Sequence, residues 1–286
     1  MKQITILILC LSVFTLSAKP QNDSLTINNF KNWQTKRITK GVKSKTIHFN
    51  DCNFFKAKQH ISIIEVSPKS NSKFDLAYQP SELLILDTIA KRKQALAAIN
   101  GTFFDIKNGG SVDYIESNDT VINQSRLGKN NVRAEHQKGA ILFNNYKLSI
   151  AQWDKTENWE QKFEATDVMV TGPVLIINQE NVVIANDAFN LARAPRSAIG
   201  IKEDGTVLMV AIDGRMIEAE GVTIIELQQI MKWLGCSNAI NLDGGGSTTL
   251  YVKHKKNGQI INHPSDNKIF DNAGQRKVAN AILLIK

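Results

Sequence analysis

The chain has 286 residues, 42% of them hydrophobic, and carries 35 Lys and Arg against 27 Asp and Glu, a formal charge of +8. That is enough chain for one large domain or two small ones. The basic residues are dispersed apart from Lys36-Arg37, Lys91-Arg92-Lys93 and the Lys253 to Lys256 stretch. No aromatic-interleaved basic stripe accompanies them, which argues against a nucleic-acid partner and leaves an anionic ligand, an anionic surface or plain solubility.

The N-terminus reads as a secretory signal peptide over residues 1–18: Lys2, an apolar run from Ile4 to Leu16, then Ser17-Ala18 before Lys19-Pro20. The run is too short to span a bilayer, so no membrane span is expected. Lipid anchoring at Cys10 is disfavoured because Ile8-Leu9 are not the small residues such a site needs. The chain is therefore expected to be secreted or periplasmic, with 19–45 a polar tether or edge segment and 46–286 a single domain. Cys52 and Cys236 remain after cleavage. They could pair in an exported protein or stay as two buried thiols, and their spacing implies no metal site.

Ile47 to Phe49, Gln59 to Val66 and Phe74 to Tyr78 read as strands, and Ser81 to Lys93 as a helix with a basic exit. Ala95 to Ile99 reads as a buried strand ending in Asn100-Gly101-Thr102-Phe103-Phe104. Asn-Gly there is either a plain hairpin signal or an amide presented at a pocket with an aromatic wall behind it. Residues 108–133, rich in Gly, Ser, Asn and Asp, suggest loops and hairpins that could cover a site. Gly139 to Asn144 is a strand, and Asp167 to Ile177 is a strand broken at Gly172-Pro173, since proline cannot donate to a ladder. Arg193-Ala194-Pro195-Arg196 opens a further strand, and Val207 to Ile212 runs into Asp213-Gly214-Arg215.

A helix follows: Thr223 and Glu226 have capping-box spacing, Leu227, Ile230, Met231 and Leu234 share one face, and Gly235 stops it. Ala239 to Leu242 is then a short buried strand that meets Asp243-Gly244-Gly245-Gly246-Ser247. Three glycines between two strands predict a tight turn whose N–H groups face a pocket, with Asp243 and Ser247 at its lip. An ordinary turn with a solvated aspartate is the alternative. Asn100, Arg196, Asp213, Arg215 and Asp243 all stand at strand ends beside Gly or Pro. Five such positions favour a shared pocket. The five histidines are scattered, which argues against a histidine-based triad.

Taken in order, Asn100-Gly101-Thr102-Phe103-Phe104, Thr171-Gly172-Pro173, Arg193-x-Pro195-Arg196-Ser197-Ala198-Ile199-Gly200, Asp213-Gly214-Arg215, Gly221-Val222-Thr223, the block from Asn238 to Ser247, Pro264-Ser265-Asp266 and Val278-Ala279-Asn280 resemble the phosphodiester glycosidase family. The resemblance covers the chain from about residue 95 onward. It implies a mixed α/β domain with packed helices and the site at strand ends. It also implies hydrolysis of a sugar-1-phosphodiester to free sugar and phosphomonoester. Neither a cofactor nor a metal is expected from the residue spacing. Two departures, Thr102 for a second glycine and the Gly172-Pro173 form of the bend, bear on sugar specificity.

Cleaving a sugar–phosphate bond passes through an oxocarbenium-like transition state, and the phosphate is already a good leaving group. On that basis Arg196 and Arg215 are assigned to phosphate, and Asp243 and Asp213 to acid–base or nucleophilic work. Asn100, Gly101, Thr171, Gly172, Arg193, Gly244, Gly245, Gly246, Ser247, Ser265 and Asp266 form the expected substrate-binding set. Two other classes stay open: a non-catalytic binder of anionic cell-surface glycans, and a metal-dependent phosphodiesterase cutting at phosphorus. The missing histidine and carboxylate cluster argues against the second.

Overall fold

A computed structural model describes residues 23–254 and 257–286. The expected signal peptide and Cys10 lie outside the described residues. The stretch expected to be a tether or edge segment contains the short helix Asp23–Asn28 and the strand Gln34–Thr39, which forms one edge of the largest sheet.

That sheet has eight strands in the spatial order Gln34–Thr39, Val42–Phe54, Ala57–Val66, Val207–Ile212, Arg196–Lys202, Cys236–Asn241, Val174–Ile177 and Glu180–Asn181. A five-stranded sheet runs Asn257–Ile260, Leu250–His254, Ala97–Asn100, Asn280–Ile285, Lys73–Tyr78. Another runs Lys147–Gln152, Gly139–Asn144, Asp167–Thr171, Ile115–Ser117, Thr120–Asn123. Every pairing inside these sheets is antiparallel.

One apolar core fills the space where the three sheets meet, with Ile64, Met209, Ile199 and Ile240 from the large sheet, Ile99, Leu250 and Ile282 from the second, and Ile141 and Met169 from the third. Successive residues of a strand point to opposite faces. Accordingly Ile63, Leu208, Val210, Ala198 and Ala239 emerge on the far side of the large sheet, where Ile224, Leu227, Ile230 and Met231 cover them. This double burial is why Val207 to Ile212 is apolar at every position although its neighbours are antiparallel.

The expected α/β domain with packed helices is thus found in part: helices do pack on sheets, but the architecture is mostly β, with several sheets. The helix predicted from Ser81 begins only at Leu86. Leu84–Ile85 instead pairs with Lys277–Val278, and the Gln79 N–H donates to the Ala279 carbonyl, so tertiary pairing claims the first turn. The predicted capping box does form: Thr223 Oγ1 accepts from Glu226 N at 3.0 Å, and Glu226 Oε2 accepts from Thr223 N at 2.9 Å, opening the helix Ile224–Trp233. Gly235 ends it at φ +84°. The Gly172-Pro173 break is the point at which the chain leaves one sheet (Asp167–Thr171) and enters another (Val174–Ile177). Cys52 is exposed and Cys236 buried, and both are free thiols.

Candidate active site

Antiparallel register puts the polar strand ends side by side. Arg196 lies opposite Ile212, immediately before Asp213. Ala198 lies opposite Asn241, two residues before Asp243, and Asn100 lies opposite Ala281, beside Asn280. The three-glycine turn sits across these ends.

Asn100 is fully buried and joins the two sheets at this point. Its Nδ2 donates to the Asp243 carbonyl at 2.7 Å, while its Oδ1 accepts from Ser197 Oγ at 2.7 Å and from Thr249 N at 3.1 Å. The amide expected to face a ligand is thus spent on holding the turn, a correction to its substrate-binding reading. Gly101 is a structural contact as well. Its carbonyl accepts from Asp243 N at 3.0 Å, and any Cβ on it would run into Asn280 Oδ1, the acceptor of the Thr102 N–H. On the opposite flank Thr171 Oγ1 donates to the Asn241 carbonyl, and Asn241 Nδ2 donates to the Gly172 carbonyl at 2.8 Å.

The turn itself is closed. The N–H groups of Gly245, Ser247 and Thr248 donate to the carbonyls of Pro195, Gly244 and Gly245. Three of the turn's N–H groups are thus committed within the protein, and the glycines are present because neighbouring groups lie against them. Gly245 has φ +60°, and a Cβ there would stand 3.0 Å from Arg215 Nη2. A Cβ on Gly246 would stand 2.5 Å from Arg276 Nη2 and collide with Asp266 Oδ1, while one on Gly244 would stand 2.7 Å from the Pro195 carbonyl. Two guanidinium groups therefore rest on the turn, an approach that only glycine permits. Arg276, just before the strand Lys277–Val278, is one of them. It pairs with Asp266, Nη2 to Oδ1 at 2.6 Å.

Asp243 is half-buried at the lip. Burial is the largest influence on its carboxyl and lifts it from 3.8 to about 6. The nearby Ser247 hydroxyl and Arg276 guanidinium pull the other way, and the charge of Asp113 adds to the rise. Ser247 Oγ and Ser265 Oγ are both buried without a hydrogen-bond partner among the described residues.

Arg196 is almost wholly buried. Its Nε donates to the Val222 carbonyl and its Nη2 to the Phe189 and Ala192 carbonyls, both at 2.8 Å. Burial, then the nearby Arg215, lower it to about 10. Neither Arg196 nor Arg215 has a carboxylate at ion-pair distance among the described residues. Arg215 is exposed and adopts a left-handed φ of +64°. Arg193 is different: it pairs with Glu226 at 2.6 Å and donates to the Phe55 carbonyl at 2.7 Å. That ties Arg193 to the helix start.

Asp213 is buried and saturated. Oδ1 accepts from Asn262 Nδ2 at 3.0 Å and from His263 N at 2.9 Å, while Oδ2 meets His60 Nδ1 at 2.6 Å and His263 Nδ1 at 2.8 Å. Burial opposes ionisation, but the two imidazoles outweigh it and hold the carboxyl down at about 2. Histidines that look scattered along the sequence thus meet on one aspartate, and the expectation of no histidine cluster is corrected. Their donor atoms lie within 4.8 Å of one another, close enough to consider a metal ion. A Zn²⁺ ion would need each ligand at about 2.0–2.2 Å, hence neighbouring ligands roughly 3 Å apart. Contacts of 2.6 and 2.8 Å to one oxygen are those of hydrogen bonds.

A second missed group lies across the turn. Asp113, fully buried, accepts from Thr102 Oγ1 at 3.0 Å, Gln137 Nε2 at 3.0 Å and His136 Nδ1 at 2.9 Å. It comes from the Gly- and Asn-rich stretch read only as cover. No local spacing marks it, because its partners are 11 to 24 residues away.

The family model for phosphodiester glycosidase matches residues 93–285. The human N-acetylglucosamine-1-phosphodiester alpha-N-acetylglucosaminidase is 25% identical over 190 residues, 63% of this chain and 36% of that protein. An uncharacterized SPbeta prophage-derived protein of Bacillus subtilis, YomE, is 40% identical over 72 residues, 25% of this chain and 11% of that one. The chain thus spans little more than a third, or less, of the length of these curated relatives. The zebrafish N-acetylglucosamine-1-phosphodiester alpha-N-acetylglucosaminidase catalytic domain, auto-inhibited by its pro-peptide, shares the fold. The superposition has a TM-score of 0.65 at 17% identity and covers 89% of this chain and 88% of that one. The matched region contains the glycine turn, the arginines resting on it and the aspartates on either side, and on that match the chain belongs to the phosphodiester glycosidase family.

Proposed function

We propose that this protein hydrolyses a sugar-1-phosphodiester to free sugar and a phosphomonoester. The observation that carries the reading is the company of Asp243: a carboxyl that burial raises to about 6, on a glycine turn where the Arg215 and Arg276 guanidinium groups rest, Arg215 with no carboxylate at ion-pair distance among the described residues. A substrate with a phosphodiester anion and an electrophilic anomeric carbon matches that pairing of charges. Arg215 is the exposed member and takes the phosphate oxygens, with Arg276 on the adjacent glycine. Its left-handed backbone, costing on the order of 1 kcal/mol, is the kind of strain kept where a side chain must be aimed. Arg196 is buried and acts as a fixed positive charge beneath. The Ser247 hydroxyl, buried close to Asp243, supplies a further donor.

Asp243 is assigned the carboxylate role alone. Asp213 and Asp113 have their oxygens committed to imidazoles and amides, and Asp266 to Arg276. One carboxylate suffices because the C1–O bond breaks with its electron pair leaving on a phosphate oxygen, which needs little protonation. Water supplies the hydroxyl to C1, and its proton passes to Asp243, whose position near 6 suits it to accept at neutral pH. N-acetylglucosamine, the sugar in the relatives' names, is the first substrate to try.

The same reading includes export, with a leader over 1–18 and a single domain over 46–286. It is supported by the apolar run at the N-terminus, and no helix among the described residues is long and apolar enough to cross a membrane. Mass spectrometry of the native protein that found an intact Met1 would overturn it. The reaction is tested by product analysis with a sugar-1-phosphodiester. Free sugar and phosphomonoester are expected, sugar-1-phosphate would indicate cleavage at phosphorus, and binding without turnover would indicate a glycan-binding module.

A further inference from the structure

Beside the glycine turn lie three aromatic rings that the phosphate chemistry does not use. Phe103 packs on His136 with ring centroids 4.4 Å apart, and Phe189 lies 6.3 Å from Phe103. Phe189 is 45% exposed and the His136 side chain 27%. Single exposed aromatics are common on protein surfaces and need no explanation. These differ because the site itself holds them.

The short segment bearing Phe189 is pinned at several points. Asp187 accepts from Asn190 N at 2.9 Å, the buried Asn190 side chain donates to the Ala185 carbonyl at 3.0 Å, and Arg196 donates to the Phe189 and Ala192 carbonyls. The Arg196 guanidinium also lies over the Phe189 ring at 4.6 Å, and its Cδ would stand 3.6 Å from a Cβ on Gly244. The same arginine therefore runs from the glycine turn to one face of Phe189, a ring that stays 45% exposed. At the other end of the strip, His136 is fixed by Asp113, whose charge is felt at Asp243. A neutral imidazole that donates from Nδ1 to a carboxylate presents its Nε2 as an acceptor.

We propose that Phe103, His136 and Phe189 form the subsite for the pyranose ring of the substrate, stacking its C–H face while His136 Nε2 accepts from a ring hydroxyl. This rests on the function proposed above and divides it into an anion half at Arg215 and Arg276 and a sugar half along the aromatic strip. A pyranose suits the strip because it has an apolar C–H face and a rim of hydroxyls, and the strip offers rigid ring faces and one acceptor.

Saturation-transfer NMR on the full chain decides the matter, using methyl glycosides of glucose, mannose and N-acetylglucosamine, with octyl glucoside as control. Irradiating the aromatic protons should mark the C–H face of at least one pyranose. Phe189→Ala and the bulk-preserving Phe189→Leu should each weaken that binding about tenfold, roughly 1.4 kcal/mol, and raise KM for a cleaved phosphodiester with little change in kcat. Arg215→Gln should keep the sugar signals and lose binding of inorganic phosphate. The subsite is wrong if no glycoside is marked on the wild type, if only the octyl chain is marked, or if both Phe189 variants bind as wild type does. A wild type that stacks sugars but cleaves no phosphodiester sinks the reaction and leaves the subsite standing.

Discussion

Replacing Asp243 by Asn should move stability and activity in opposite directions. In the folded chain burial holds this carboxyl at about 6 rather than 3.8. At about 1.36 kcal/mol per pH unit, keeping it ionised at pH 7 costs on the order of 3 kcal/mol relative to the unfolded chain. The sign follows from the direction: a raised carboxyl favours folding when protonated. Its contribution is therefore full below about pH 4 and is lost as pH rises through about 6. Asn removes the charge and keeps the turn chemistry, so Asp243→Asn should be more stable than wild type at pH 7 by about 1–3 kcal/mol and nearly equal to it at pH 4. Asn takes no proton, so turnover of a sugar-1-phosphodiester should fall by about a hundredfold or more. Denaturant unfolding at both pH values, with product release measured on the same samples, provides the comparison. A variant less stable than wild type at pH 7 would refute the burial argument, and a folded variant with intact turnover would refute the catalytic one.

Arg215→Gln should lose about 1–3 kcal/mol of transition-state binding, the scale of charge-assisted hydrogen bonds, with stability within about 0.5 kcal/mol of wild type because the side chain is exposed and unpaired. Equal kcat/KM would reject its phosphate role. Gly246→Ala puts a methyl group against Arg276 and Asp266, so it should lower kcat/KM even in folded protein, whereas Gly235→Ala, which meets nothing within 4 Å, should cost only about 1 kcal/mol of backbone conformational energy. Indistinguishable kinetics for the Gly246 variant would show that the guanidinium on the turn is dispensable. Asp213→Asn leaves the imidazoles of buried His60 and partly buried His263 facing an amide and should cost roughly 2–4 kcal/mol in denaturant unfolding. Because Asp213 is held at about 2, its stabilisation is present above about pH 4 and lost as pH falls toward 2, so the variant should lack that acid-limb loss.

Local physics made much of this chain legible. The Thr223–Glu226 box, the Gly235 stop and the apolar Val207 to Ile212 run each depend on residues adjacent in sequence, and the helix and strands stand where those patterns put them. The strand-end cargo was legible for the same reason, since Arg196 sits where an apolar run starts and Asn100, Asp213 and Asp243 where one stops. What each side chain then does was decided only by tertiary structure. Asp213 and Asp243 look alike as acids after buried strands. One becomes a saturated buried anion because residues 60, 262 and 263 arrive beside it, and the other stays half-buried and raised because burial outweighs the pull of Ser247 and Arg276. Arg193 and Arg215 likewise separate only when Glu226 is found to pair with the first and, among the described residues, no carboxylate with the second. Asp113 and His136, 23 residues apart in a loop-rich stretch, had no periodic signal to reveal them. Periodicity records which face of a strand is buried, while partnership between side chains depends on how three sheets meet.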